Sequence, residues 1–133
     1  MDQSYAEIAE ALQIYFDGFH EGDVDTLRKV FHPNAHLYSS PDGSLVDDDM
    51  TAVYARVEGR VAPAAKGEKR NDRILSIDRS GPESALAVVQ ITIAPKLFTD
   101  YLSLLKIDGR WQIISKTFTF VPMAEAVQVV AAE

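Results

Sequence analysis

Two adjacent stretches in the C-terminal half hold the side chains best suited to chemistry. Asp100, Tyr101, Ser103, Gln112, Ser115 and Lys116 are threaded through residues 98–120, which are otherwise rich in leucine, isoleucine and phenylalanine. Between the stretches sits Asp108-Gly109, a dipeptide that favours positive backbone φ and closes a tight hairpin. Strands of this kind line a cavity with one face and are covered on the other. The chemistry on offer is hydrogen bonding by a phenol and hydroxyls, together with one ammonium.

Other chemistries find no support in the sequence. There is no cysteine, so disulfides, thiolate metal sites and a cysteine nucleophile are out. Among His20, His32 and His36 no pair has the i, i+4 spacing of metal ligands on one helix, and residues 47–49 lack the alternating ligands and closing glutamate of a calcium loop. No glycine-rich phosphate loop and no Ser-His-Asp signature is present. No metal or other cofactor is therefore expected. A net charge of -7 argues against a nucleic-acid partner, and the basic cluster at residues 66–73, which also holds Glu68 and Asp72, reads as a solvated loop. No apolar run approaches the roughly 18 to 20 residues that span a bilayer, so no membrane partner is expected. Neither is a secretory signal, and a cytoplasmic location follows by default.

The elements that must position these groups are legible in outline. At 133 residues, 47% hydrophobic and 25% charged, the sequence reads as one soluble domain with a real core. Ser4 and Glu7 have the spacing of a capping box, and Ile8, Leu12, Tyr15 and Phe19 recur at helical intervals after it. Gly18 and Gly22 weaken helix propensity towards its end. Asp23 is an N-cap for a second, short helix that His32-Pro33 terminates. Residues 35–40 read as a strand, Pro41-Asp42-Gly43 as a turn, and residues 47–59 as a third helix with acidic groups at its start. Strands at residues 73–78 and 85–93 flank a Ser80-Gly81-Pro82 turn, and the hairpin follows Pro95. The alanine- and valine-rich tail, residues 122–133, reads as a frayed helix or a strand extension. Helices first and strands after predict an α+β layout, with three helices on one face of an antiparallel sheet.

The segment from Tyr15 to Asp23, then Leu27, then Phe31-His32-Pro33-Asn34-Ala35-His36-Leu37, resembles the entry of the nuclear transport factor 2-like superfamily. Residues 98–111, ending Lys106-Ile107-Asp108-Gly109-Arg110-Trp111, resemble more specifically the putative lumazine-binding family within it. The resemblance spans residues 4–120. It implies a cone-shaped, curved antiparallel sheet with three packed helices around an inner cavity, often paired back to back as a homodimer. It does not choose among the superfamily's isomerases, cyclases, dehydratases and non-catalytic interaction proteins.

Register against the superfamily's steroid isomerases then assigns positions. Tyr15 stands seven residues before Gly22, where those enzymes carry an oxyanion donor. Ser39 falls at their base aspartate and Ser103 near their second acid, so steroid-type isomerisation is not implied. The same register turns Gln112, Ile114, Lys116 and Phe118 inward, next to Tyr101, Ser103 and Leu105, and sends Asp100, Leu102, Leu104 and Lys106 outward. A slip of one residue would reverse that second set. His36 faces outward. An inward lysine needs an anionic partner or a depressed pKa.

The ligand-binding set implied is Tyr15, Ser39, Tyr101, Ser103, Lys116 and Phe118. Tyr15 is the hydrogen-bond donor, and Lys116 is the cation for a carboxylate or enolate, or less directly a base or Schiff-base amine. The expected function is binding of a small organic ligand, anionic or enolisable, with lyase-, cyclase- or isomerase-like chemistry. The competing expectation is a non-catalytic dimerisation or interaction module that works through the outer sheet face. A homodimer is expected because the last two strands are apolar on both faces.

Overall fold

Ile8, Leu12, Tyr15 and Phe19 are all buried, and this stripe fixes α1 (Gln3–Glu21) against the sheet. The computed structural model describes residues 3–123, so the expectation for the tail from residue 124 onward lies outside the described residues. Asp23 caps α2 (Val24–Arg28) by accepting from the Thr26 amide, as its position predicts. Gly18 is needed for proximity. A Cβ there would lie 2.5 Å from the Leu27 Cδ2 atom, and Leu27 is fully buried, so the two helices meet at this glycine.

Six strands follow in a curved, open sheet: β1 (Phe31–Ser39), β2 (Val46–Asp49), β3 (Asp72–Ser80), β4 (Ser84–Ile93), β5 (Lys96–Ile107) and β6 (Arg110–Pro122), in the order β2-β1-β6-β5-β4-β3. The third helix, α3 (Met50–Gly59), links β2 to the loop before β3. The α+β class stands, with two revisions. The acidic residues 47–49 form β2 against β1, and only Asp49 serves α3, accepting from the Ala52 amide. The sheet is mixed, because β1 runs parallel to β6 while every other pairing is antiparallel. No hairpin turn joins β1 to β6, so nothing in the chain forces them to oppose. β1 also starts before Pro33, and a register shift between Phe31 and His36 accommodates the missing amide.

The hairpin forms as its sequence dictates, with φ of 53° at Asp108 and 76° at Gly109. At Ile114, beyond that turn, the alternation changes phase. Ser103 pairs with Ser115, but Leu104 pairs with Ile113, so Ile114 is the extra residue of a β-bulge. Trp111 and Ile113 before the bulge, and Lys116 and Phe118 after it, therefore share the inner face, and Gln112 does not. Across from them, Phe98, Asp100, Leu102 and Leu104 form the inner row of β5, opposite Ile91, Val89, Ala87 and Ala85 of β4. The predicted parity of β5 was off by one residue. Tyr101 is 53% exposed on the outer face, and Ser103 lies on that same face.

Candidate functional site

The inner row of β5 carries one charged residue in its buried stretch. Asp100 sits opposite Val89 on one side and Phe118 on the other, and it is wholly buried. The Tyr15 hydroxyl donates to Asp100 Oδ2. Lys116 Nζ lies 3.5 Å from that same oxygen. Asp100 Oδ1 is buried with no hydrogen-bond partner among the described residues. Three rings enclose the ammonium, with centroids 4.8 Å away for Phe19, 5.0 Å for Phe118 and 5.2 Å for Tyr15, so cation–π attraction replaces part of the lost hydration.

Burial, reinforced by the Asp100 charge and hydrogen bond, holds the Tyr15 phenol well above its ordinary pKa. Burial also pulls the Lys116 ammonium below its ordinary value. Asp100 opposes that shift, while the Arg60 and Arg56 charges add to it.

Lys116 forms part of the wall of a cavity of about 450 Å³. The wall is largely apolar, with Leu37, Val53, Ile91, Phe98, Phe118 and Phe120 among its residues. Its charged members are Arg56, Arg60, Lys96 and Lys116 against Asp48 alone, so the space is cationic inside an acidic chain. Arg56, in the last turn of α3, and Arg60, its extended C-cap residue, both reach the cavity wall. Asp48 already engages Arg56, at 2.6 Å. Among the described residues no carboxylate pairs with Arg60, whose pKa burial lowers first and the Arg56 charge lowers further.

Three of the predicted residues come together on this wall: Ser39, Lys116 and Phe118. Tyr15 is not on it. It stands behind Lys116, where its hydroxyl serves Asp100. Tyr101 and Ser103 are corrections, since the parity of β5 carries both to the opposite face. Asp100 takes the place beside Tyr15 that the isomerase register gave to Ser103. The alternation of Asp100 with Leu102 and Leu104 was the available signal for it. Arg56 and Arg60 were missed altogether, although an arginine one turn after the buried Val53 and a second just past Gly59 were there to be read. His36 faces away from the cavity, with Nδ1 2.6 Å from Asp47 Oδ1.

Residues 3–119 match the family described as putative lumazine-binding. The chain belongs to this family. Among curated proteins it is similar to Aldolase FrzH of Cladobotryum sp, 24% identical over 120 residues that cover 89% of this chain and 92% of that one. Among solved structures it is similar to an NTF2-like protein of unknown function from Silicibacter pomeroyi DSS-3, with 25% identity and a TM-score of 0.80 over 91% of this chain and 100% of that one. A second NTF2-like protein of unknown function, from Shewanella baltica OS155, is 26% identical with a TM-score of 0.81 over 90% and 95% of the two chains. This member of the putative lumazine-binding family thus has the nuclear transport factor 2-like fold, with a buried tyrosine–aspartate–lysine set beside its cavity. No helix among its described residues is long and apolar enough to cross a membrane.

Proposed function

We propose that this protein binds a small organic molecule with an apolar body and an anionic or enolisable head, and acts on it at Lys116. The observation that carries this reading is the position of Lys116 on the wall of an apolar cavity, backed by Asp100 and Tyr15. A volume of about 450 Å³ suits a small metabolite. Arg60, partly buried and with no carboxylate partner among the described residues, supplies attraction for anionic oxygens at that wall, where a charge is screened less than in water. The name of the relative Aldolase FrzH supports carbon–carbon bond chemistry at an enolisable carbonyl compound, within the lyase-like class. Ser39 and Phe118 complete the ligand's surroundings as a hydroxyl and an aromatic wall.

A thermal-shift screen of acidic and 1,3-dicarbonyl metabolites tests the reading. Acidic compounds with an apolar body raise the melting temperature of the unmodified protein, and Arg60→Met diminishes the shift. An unmodified protein that responds to none of them contradicts it.

A homodimer through the outer sheet face is the second proposal. Tyr101 stands directly opposite Val88 there, and Leu86, 42% exposed, stands opposite Ser103. Exposed apolar groups in neighbouring registers are what a back-to-back sheet contact would cover. Light scattering at micromolar concentration should give the mass of a dimer, and Tyr101→Glu should give that of a monomer.

A further inference from the structure

Lys116 is poorly suited to be a simple anion hook. Its ammonium already faces a carboxylate at 3.5 Å, so the pair presents little net charge to a ligand. Among the described residues, Arg60 and Lys96 are the cavity cations with no carboxylate partner; Lys96 lies over the Phe120 ring and is exposed, Arg60 is partly buried, and Arg56 is engaged by Asp48. Asp100 lies behind Lys116 and off the cavity wall, where it can exchange a proton with the amine without touching a ligand. Tyr15 fixes Asp100 Oδ2 from the far side, and Oδ1 is left with a free lone pair. The rings of Phe19, Phe118 and Tyr15 keep water from the nitrogen.

We infer that Lys116 is a covalent nucleophile, forming a Schiff base with the carbonyl carbon of an oxo acid whose carboxylate is held by Arg60. This rests on the reading of the cavity given above, and it fixes the substrate class as an oxo acid with an apolar, preferably aromatic, side chain. The step balances within the residues present. The Lys116 ammonium gives a proton to the Asp100 carboxylate. The free amine then adds to the carbonyl carbon, the C=O pair moves to oxygen, and that oxygen takes a proton from the new N–H to give a carbinolamine. Asp100 returns its proton to the Lys116 nitrogen, which passes it to the departing hydroxyl; water leaves, and an iminium remains opposite a restored carboxylate. The lowered pKa of Lys116 favours the first of these steps. Asp100 and Tyr15 are positioning residues, because neither meets the ligand directly.

The test incubates the full chain with phenylpyruvate and sodium cyanoborohydride, with phenylacetate as a carbonyl-free control, and reads intact mass, peptide map and thermal shift. The unmodified protein should gain the mass of one reduced phenylpyruvate, located at Lys116. Lys116→Arg keeps the charge and should gain nothing. Arg60→Met should lower the labelled fraction at limiting ligand by about tenfold, the value of one charged hydrogen-bonding contact. Asp100→Asn should slow labelling while the thermal shift with phenylpyruvate persists, a split that a merely structural role would not produce. A thermal shift with both compounds but no mass gain overturns the Schiff base and leaves the cavity reading standing. No shift with either compound overturns both. A label spread over other lysines overturns the assignment to Lys116, and the peptide map of the unmodified protein decides this even if a variant fails to fold.

Discussion

Lys116 Nζ stands 3.5 Å from Asp100 Oδ2, with the aspartate wholly buried and the lysine nearly so. Two charges are tolerated there because each answers the other, and removal of one leaves the second without compensation. Lys116→Met is expected to lower stability by about 3–5 kcal/mol while the fold persists. The double variant Lys116→Met/Asp100→Asn should lose much less than the sum of the two single variants. Urea unfolding of all four proteins in a double-mutant cycle measures the coupling, and additive losses would show that the pair is not an energetic unit.

Tyr15→Phe removes the donor that Asp100 Oδ2 accepts from and leaves a buried acceptor with one partner fewer. A cost of about 1–3 kcal/mol is expected in denaturant midpoints. Phenylpyruvate binding should weaken by on the order of 1 kcal/mol, since the effect reaches the ligand only through Lys116. Equal affinity and equal stability in the variant would remove Tyr15 from the site.

Alkaline pH separates the two partners of Asp100. Tyr15 has its folded pKa raised above 10.0, so the folded state keeps a proton that the unfolded state releases. Its contribution to stability is complete below pH 10.0 and is lost as pH climbs towards the folded value. Lys116, which faces Asp100, Tyr15, Arg60 and Arg56, has its folded pKa below 10.5, so between those two values the unfolded state binds more protons and stability rises with pH. Urea midpoints followed up to about pH 11 should fall less steeply above pH 10.0 in Tyr15→Phe than in the unmodified protein. Lys116→Met should lack the rise that precedes the fall.

Gly18→Ala places a methyl 2.5 Å from the Leu27 side chain, which is fully buried. A loss of about 1–3 kcal/mol is expected from forcing α1 and α2 apart, against the gain in helix propensity that an exposed glycine would show. A stabilised Gly18→Ala protein in thermal melts would show that the two helices can separate at little cost.

Steroid-type double-bond isomerisation should be absent. Ser39 lines the cavity where that chemistry needs a carboxylate base, and a lone hydroxyl cannot shuttle the proton. The near-ultraviolet absorbance of a conjugated enone, followed with a β,γ-unsaturated ketosteroid, checks this. Sustained turnover would mean that another group supplies the base.

Much of this architecture is written in short-range pattern. The stripe of α1, the Asp23 cap and the Asp108-Gly109 turn each follow from a few neighbouring residues, and each is where the pattern puts it. Lys116 and Phe118 came out inward because their end of β6 keeps a period of two. What failed was long-range. The bulge at Ile114 and the parity of β5 depend on which residues face one another across strands, and a single strand does not record that. Tyr101 and Ser103 were lost, and Asp100 gained, by that one residue of phase. The parallel pairing of β1 with β6 joins distant segments, Phe31 with Ile113 and Tyr38 with Thr117. Nothing in the sequence singles out Arg60, because only tertiary packing brings the end of α3 to the cavity.

The bulge divides β6 into two provinces. On the hairpin side, Trp111 and Ile113 are locked into the buried core with Leu104. Beyond it, Phe118 covers the Lys116 ammonium, and Phe120 lines the hollow beside Phe98. One strand thus runs from a half sealed in the core to an end that meets only the hollow. A different aromatic or aliphatic group at Phe120 would re-tailor that space with little debt to folding, and descendants of this chain could exchange ligands by altering the strand's far end while Lys116 and its cover stay in place.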